Sequence, residues 1–202
     1  MSACAIVPQK PLRAAKSRLG GVLRPGTRNA LSLTMLRTVC AAVRAAPGVE
    51  DVVIMTPDPD VRAFAAAAGI RSVPDPCAEF NEALAGVIRA LPASWREILI
   101  IAADLPLLRP ADVAALLAAG TAGTAVLAPA KDRTGTNALL IPPGATVRPS
   151  FGPASLARHR GGIRGLGLRL AEVDRPGLAF DLDTPADLLS LGRPAAEAWA
   201  AG

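Results

Sequence analysis

Aromatic residues are scarce in this chain, and tyrosine is absent. The 202 residues include four Phe, two Trp and no Tyr, while 51% are hydrophobic. A core of Ala, Val, Leu and Ile is typical of a sheet wrapped by helices. The formal net charge is +5, but nucleic-acid sites stack bases on aromatic rings, which are nearly missing here. An anionic small-molecule substrate explains the charge at least as well as nucleic acid does.

Cysteine and histidine are also few. Cys4, Cys40 and Cys77 lie far apart and show neither Cys-x-x-Cys nor Cys/His metal spacing. We expect buried free thiols. The one histidine, His159, follows Ser155 by four residues, on roughly the same face of a helix. No partner in the sequence completes a Ser–His nucleophile pair, so a structural or exposed role is favoured for His159.

Long apolar runs and targeting signals are missing as well. No stretch reaches about 18 apolar residues, the length that indicates a membrane span, so we expect no membrane partner. The first residues lack the charged start and cleavage site of a secretory signal, and we expect a cytoplasmic location. No composition break is visible. We therefore predict one domain over residues 1–202, with a core at about 3–191 and a helical or frayed tail at 193–202.

Strands alternate with helices over the first 130 residues. This pattern predicts the α/β class, with a mostly parallel sheet covered by helices on both faces. The predicted strands are 3–7, 51–56, 71–73, 98–103, 125–128, 137–141, 167–173 and 178–180. The predicted helices are 29–46 with Thr27 as N-cap, 59–68 with Asp58 as N-cap, 81–90, 110–119, a short helix within 151–160, and 186–191 capped by Thr184. Such sheets bind ligands outside the carboxyl ends of their strands.

The loop after the first strand has no glycine-rich phosphate motif. The absence of GxGxxG and GxxxxGK[ST] counts against a dinucleotide oxidoreductase and a P-loop NTPase. Instead, Lys10 and Lys16 lie in this loop together with Arg13 and Arg18, although the chain has only three lysines among 22 basic residues. A compact ammonium suits a site next to phosphate. A solvated basic loop is the alternative.

Carboxylates follow two apolar segments. Residues 98–103 lead into Asp104, and residues 178–180 lead into Asp181 and Asp183, which an extended chain points to the same side. Carboxylates at such strand ends can hold a divalent metal against a phosphate. A capping or turn role is the alternative. The acids converge only if both segments end at the same edge of the sheet.

Two further segments combine glycine with short polar side chains. Gly135, Thr136 and Asn137 precede a strand, and a turn is the default interpretation there. Gly152 and Ser155 form a turn and a helix start, where free backbone N–H groups can bind an anion.

In their order along the chain, these segments resemble one family over residues 3–191. They are similar to the 2-phospholactate or phosphoenolpyruvate guanylyltransferases of deazaflavin coenzyme F-420 biosynthesis. The segments are Ile6-Val-Pro, Lys10, Ala15-Lys-Ser-Arg-Leu, Phe80-Asn-Glu-Ala, Ala103-Asp-Leu-Pro, Gly135-Thr-Asn-Ala-Leu, Phe151-Gly with Ser155 and His159, and Asp181-Leu-Asp-Thr-Pro-Ala-Asp-Leu. Gln9 and Thr134 depart from the family pattern, which has an apolar residue and a glycine there.

The resemblance implies a nucleotide-diphospho-sugar-transferase-like, Rossmann-like three-layer sandwich. It implies transfer of GMP from GTP to a phosphorylated three-carbon acid, release of pyrophosphate, and a downstream transferase that consumes the product. Lys16 and Asp104 would be catalytic. The implied contacts are Lys10, Lys16, Arg18 and Asn81 for the nucleotide, Asp104, Asp181 and Asp183 for Mg²⁺, and Thr136, Gly152 and Ser155 for the phosphoacid.

Two other functions compete with this interpretation. Molybdenum-cofactor or sugar-phosphate nucleotidyltransferases share the Ala-Asp-Leu-Pro segment, but their Leu-x-x-Gly-x-x-x-Arg loop is missing here. A non-catalytic nucleic-acid-binding domain fits the charge, but strand-end carboxylates would repel a polyanion. The sequence leaves the oligomeric state open, as well as the choice among 2-phospholactate, phosphoenolpyruvate and 3-phosphoglycerate as acceptor.

Overall fold

The computed structural model describes residues 3–74, 79–92 and 97–192. Within these ranges, seven strands form one sheet in the order β3-β2-β1-β4-β6-β5-β7. The strands are β1 Ala3–Pro8, β2 Val49–Met55, β3 Arg71–Val73, β4 Glu97–Ile101, β5 Thr124–Pro129, β6 Thr136–Ile141 and β7 Arg169–Glu172. Strand β6 is antiparallel to β4 and β5, while the other neighbouring pairs are parallel. The prediction of a mostly parallel sheet is confirmed.

Helices cover both faces of this sheet. They are α1 Pro25–Arg44, α2 Pro59–Ala67, α3 Phe80–Ala90, α4 Pro110–Ala119, α5 Ser155–Gly165, α6 Pro176–Ala179 and α7 Pro185–Ser190. Alternate residues of the central strands enter different cores: Ala5 and Val7 pack with α1, α2 and α4, whereas Ile6 packs with α3 and α5. This alternation explains why the central strands are apolar without a polar face.

The carboxyl ends of β1 and β4 lie side by side. The two strands are parallel neighbours, with Ile6 paired to Ile100. The basic loop after β1 and Asp104 after β4 therefore emerge at the same edge of the sheet. The loop contains two short 3₁₀ turns, Leu12–Ala14 and Ser17–Leu19.

Residues 178–180 do not form the predicted strand. They lie in and after the one-turn helix α6, which begins at Pro176. The Asn137 side chain holds this turn by donating to the carbonyls of Leu178 and Ala179 at 2.9 and 3.2 Å. A run of three apolar residues is too short for periodicity to distinguish a strand from a helical turn.

Thr27 is not an N-cap. Helix α1 begins at Pro25 after the N-cap Arg24, so Thr27 lies inside its first turn. Proline is favoured at the first helical position because its φ is already helical and its missing N–H is not needed there. The predicted caps Asp58 and Thr184 are confirmed.

The cysteine prediction is confirmed where the structure describes it. Cys4 and Cys40 are buried free thiols, and burial raises the pKa of each to about 12. Cys77 and the tail at 193–202 lie outside the described residues. No helix in the described part of the chain is both long and apolar enough to cross a bilayer.

Asp58 connects helix α2 to the basic loop. Its Oδ1 accepts the N–H groups of Asp60 and Val61 at the start of α2, while its Oδ2 accepts the N–H of Leu12 at 2.8 Å. Asp58 is buried. One carboxylate therefore caps a helix and fixes the loop that leads to Lys16.

Asp58→Ala should lower the free energy of unfolding by about 2–3 kcal/mol, because it removes a cap and leaves a buried N–H without an acceptor. Urea unfolding followed by circular dichroism measures the loss. The matched control is Asp60→Ala on the exposed side of the same turn, which should cost at most about 1 kcal/mol. Equal losses in the two variants would show that neither the cap nor the bond to Leu12 stabilises the protein more than an exposed carboxylate does.

Candidate active site

A cavity of about 520 Å³ opens at the carboxyl ends of β1 and β4. The basic loop forms one side of it, and the segments around residues 79–81 and 151–152 form another. The predicted site residues that line it are Lys10, Lys16, Arg18, Asn81, Asp104, Gly152 and Asp183.

Lys16 lies between two carboxylates. Its Nζ is 2.6 Å from Oδ2 of Asp104 and 2.9 Å from Oδ1 of Asp183, and its side chain is only 7% exposed. Burial alone would lower the pKa of Lys16, but the charges and hydrogen bonds of Asp104 and Asp183 raise it above its usual value. The ammonium group therefore stays charged at neutral pH.

The backbone at Lys16 has a left-handed conformation, with φ of 53°. The left-handed conformation costs about 1–2 kcal/mol for any residue that has a Cβ, so it is kept only where surrounding contacts stabilise it. The two ion pairs of the Lys16 side chain accompany this conformation and offset part of its cost.

Backbone contacts explain why Asp104 and Asp183 converge. The carbonyl of Asp104 accepts the N–H of Leu182 at 3.1 Å, which places the segment before α7 beside the end of β4. The two acids are far apart in the sequence, and their convergence was left open by sequence reasoning. The structure brings both to one ammonium group.

Asp181 lies near this pair but does not line the cavity. Burial raises its pKa, and the charges of Asp104 and Asp183 raise it further. Its Oδ1 is buried and has no hydrogen-bond partner among the residues that the structure describes. A buried oxygen without a partner is costly unless a ligand completes it.

The donor set fits a magnesium ion that arrives with phosphate. Over residues 3–74, 79–92 and 97–192, no three His, Cys, Asp or Glu side chains form a ready-made metal site. Mg²⁺ usually needs only one or two carboxylates and takes its other ligands from water and substrate phosphates. Asp104 and Asp183 at the cavity match that requirement, and the unpartnered oxygen of Asp181 lies near them.

Two residues that sequence reasoning missed hold Asp183 in place. Asp187 accepts the N–H groups of Asp183 and Thr184 at 2.9 and 2.7 Å. Lys131 forms an ion pair with Asp187 and donates to the carbonyl of Asp181 at 3.2 Å. The Thr184–Asp187 spacing is a capping-box signal that was available in the sequence. The pairing with Lys131, 56 residues away, was not.

Asn81 fixes the opposite wall of the cavity. Its Oδ1 accepts the N–H of Phe151 at 2.7 Å, and its Nδ2 donates to the carbonyl of the same residue at 3.2 Å. Gly152 follows with φ of +107°, a conformation that favours glycine. The wall is therefore held through its backbone.

Thr136 and Ser155 do not line the cavity. Both are buried, and the N–H of Thr136 donates to Oγ of Ser155 at 2.9 Å. The ring nitrogens of His159 contact Oγ1 of Thr136 and the N–H of Ser150. Direct contact of Thr136 and Ser155 with a phosphoacid stays a prediction.

Other polar residues at the cavity carried no clear signal in the sequence. Gln9 is buried and donates from Nε2 to the carbonyl of Lys10 at 2.9 Å. Ser32 of α1 and Glu79, the N-cap of α3, also line the cavity. Gln9 had stood out only as a polar residue in an apolar position.

Curated proteins and a family description match nearly the whole chain. Residues 3–192 match the family described as guanylyl transferase CofC like. The phosphoenolpyruvate guanylyltransferase of Rubrobacter xylanophilus is 46% identical over 193 residues, which cover 95% of this chain and 94% of that protein. The protein of the same name from Sphaerobacter thermophilus is 41% identical over 192 residues, covering 95% and 93%.

Solved structures support the fold class. A putative nucleotide-diphospho-sugar transferase from Desulfovibrio desulfuricans superposes with a TM-score of 0.76 at 17% identity, covering 96% of this chain and 88% of that chain. A nucleotidyl transferase from Methanothermobacter thermautotroptrophicus gives 0.73 at 18% identity, covering 98% and 99%. At these identities the likeness shows the fold alone. The predicted nucleotide-diphospho-sugar-transferase-like fold is confirmed.

The stability of the Asp183 segment should depend on acid pH through Asp187. Burial would raise the pKa of Asp187, but Lys131 and the N–H groups of Asp183 and Thr184 lower it to about 2. A lowered folded-state pKa stabilises the protein above the unfolded value, near pH 4, and that contribution is lost as the pH falls towards 2. The contribution is about 2 kcal/mol.

Asp187→Asn tests this dependence. The difference in unfolding free energy between wild type and variant should be largest near pH 5 and shrink from about pH 4 to about pH 2. Urea unfolding at a series of pH values measures it. Asp174→Asn, at an exposed surface pair with Arg133, is the control and should change stability by less than about 1 kcal/mol. A difference for Asp187→Asn that stays constant with pH would contradict the assignment.

Proposed function

This chain belongs to the CofC-like guanylyl transferase family, and we propose that it transfers GMP from GTP to phosphoenolpyruvate, releasing pyrophosphate. The acceptor is proposed from the curated relatives, which carry that name and match along nearly their full length. The same proposal includes a place in coenzyme F-420 biosynthesis and a cytoplasmic location. The observation that carries the chemistry is the ammonium of Lys16 between Asp104 and Asp183 at the cavity.

The reaction requires two anions to meet. A phosphate oxygen of the acceptor forms a bond to the α-phosphorus of GTP, and the bond from that phosphorus to the bridging oxygen breaks as pyrophosphate leaves. The barrier is largely electrostatic, so positive charge at the phosphates matters more than a side-chain nucleophile. Lys10, Lys16 and Arg18 supply that charge from one loop.

Asp104 and Asp183, with Asp181, would hold Mg²⁺. When bound, the ion supplies charge that offsets the phosphate oxygens and the departing pyrophosphate. Lys16 would then exchange its carboxylate partners for phosphate oxygens. Asn81 and Gly152 line the far side of the cavity. The two substrates would therefore share one cavity, which favours an oriented approach of one to the other.

A pyrophosphate-release assay tests the proposed function. Purified protein with Mg²⁺ should release pyrophosphate from GTP and phosphoenolpyruvate, and ATP should substitute poorly for GTP. Parallel reactions with 2-phospholactate and 3-phosphoglycerate test the acceptor. Because the product is expected to need a downstream transferase, each reaction is repeated with that enzyme coupled. Inactivity with every acid in the coupled assay would contradict the proposal, while preference for another acid would change only the acceptor.

Asp104→Asn should reduce pyrophosphate release by at least about 100-fold, because it removes a charge that balances cations at the phosphates. The variant should still fold, as judged by its circular dichroism spectrum and a cooperative thermal transition. Asp60→Asn changes an exposed carboxylate and should retain activity. Near-wild-type release by Asp104→Asn would remove Asp104 from the site.

Lys16→Ala should chiefly damage the use of GTP. We expect kcat/KM for GTP to fall by about 100-fold or more, since a charge-assisted contact from a buried ammonium to phosphate is lost. The KM for phosphoenolpyruvate should change much less. Steady-state kinetics with each substrate varied in turn separate the two effects. Unchanged GTP kinetics would exclude Lys16 from the nucleotide site.

A further inference from the structure

His159, the one histidine of the chain, is buried behind the cavity wall. Its Nε2 accepts the backbone N–H of Ser150 at 2.9 Å. A backbone N–H can only donate, so Nε2 carries no proton and the ring proton lies on Nδ1. That nitrogen is 3.0 Å from Oγ1 of Thr136, to which it donates.

These bonds continue into a connected network. Thr136 is fixed by the bond from its N–H to Oγ of Ser155. The ring of His159 also packs edge-on against the ring of Phe151, with centroids 4.8 Å apart, and Phe80 packs on Phe151 at 6.2 Å. Asn81 holds the N–H and the carbonyl of Phe151.

The network ends at the cavity. Phe151 and Gly152 line it, together with Lys16 and Asp104, whereas His159 does not. The cations that suit the triphosphate, among them Lys16, lie on the loop after β1. The Phe151–Gly152 wall faces the same space from a different element, and at Gly152 the backbone carries no side chain. The family resemblance implies that Gly152 contacts the phosphoacid, so we take this wall as the place of the second, smaller substrate.

We propose that His159 is a positioning residue that fixes the Phe151–Gly152 wall against which the phosphorylated acid binds. The hydrogen bonds from His159 to Thr136 and from Thr136 to Ser155 extend this support to the strand and the helix behind the wall. The inference rests on the proposed function, because it assigns one of that reaction's two substrates to the wall.

The protonation state of the ring agrees with this role. Burial, and then the charge of Arg158, lowers the pKa of His159 to about 4. The imidazole is therefore neutral at neutral pH, as an acceptor for the N–H of Ser150 must be. A charged ring would carry protons on both nitrogens and would lose that bond.

Two substitutions separate the positioning bond from general packing. The amide of His159→Gln reaches the position of Nε2 and can still accept the N–H of Ser150, whereas His159→Asn reaches only the position of Nδ1. We expect the KM for phosphoenolpyruvate to rise about tenfold in His159→Asn and by less than about threefold in His159→Gln. The KM for GTP should change by less than about twofold in both.

Arg160→Gln is the matched control on the same helix. Arg160 forms a surface pair with Glu172 and does not line the cavity. Its substitution should leave both KM values unchanged. Thermal unfolding of all three variants shows whether any change in KM merely follows a loss of stability.

Nuclear magnetic resonance provides a test that needs no turnover and no variant. Because the chain has one histidine, its imidazole ¹⁵N signals can be assigned without variants. They should show the Nδ1–H tautomer, and phosphoenolpyruvate should shift the Nε2 signal while GTP alone should not.

The outcomes distinguish this inference from the proposed function. If the enzyme transfers GMP but the Gln and Asn variants lose affinity for the acid equally, the positioning bond is wrong. A response of the Nε2 signal to GTP and not to the acid would also overturn it. If no GMP is transferred to any acid, the proposed function fails, and the assignment of the acid to the wall fails with it.

Discussion

The ion pairs of Lys16 with Asp104 and Asp183 hold the candidate site together. They join three parts of the chain: the loop after β1, the end of β4 and the segment before α7. Burying the ammonium of Lys16 costs free energy because the group loses its contacts with water, and the left-handed backbone at Lys16 adds strain. Two carboxylates at hydrogen-bond distance offset both costs. Only the ammonium is buried, since the side chains of Asp104 and Asp183 are 30% and 41% exposed, so the loss of both carboxylates would leave a buried charge without compensation.

The fold was largely predictable because its central strands leave strong local signals. Strands β1 and β4 are buried on both faces, so they are continuous apolar runs in the sequence. Asp58 and Thr184 each precede a proline and cap the helix that follows. The error at residues 178–180 arose where the apolar run is three residues long and tertiary contact with Asn137 decides the conformation.

The site was predictable only in part, for a physical reason. Position after a strand identified Lys16 and Asp104, because parallel neighbours end at one edge. Whether Asp183 joined them depended on the path of the chain after the antiparallel strand β6, which no local pattern encodes. The types of Thr136 and Ser155 were visible, but no local pattern encodes that Thr136 bonds to His159 and that Ser155 accepts the N–H of Thr136.

Without substrate, the ammonium of Lys16 is already paired with the carboxylates of Asp104 and Asp183, and this affects how a substrate binds. The two carboxylates are balanced by the ammonium of Lys16 and by the guanidinium of Arg18, which lies 3.6 Å from Asp183. A free anion therefore meets an ammonium that is already engaged. Binding becomes an exchange of partners, in which the gain at the phosphates is reduced by the loss at the carboxylates. Such a site favours a ligand that brings a cation to Asp104 and Asp183 as well as an anion to Lys16.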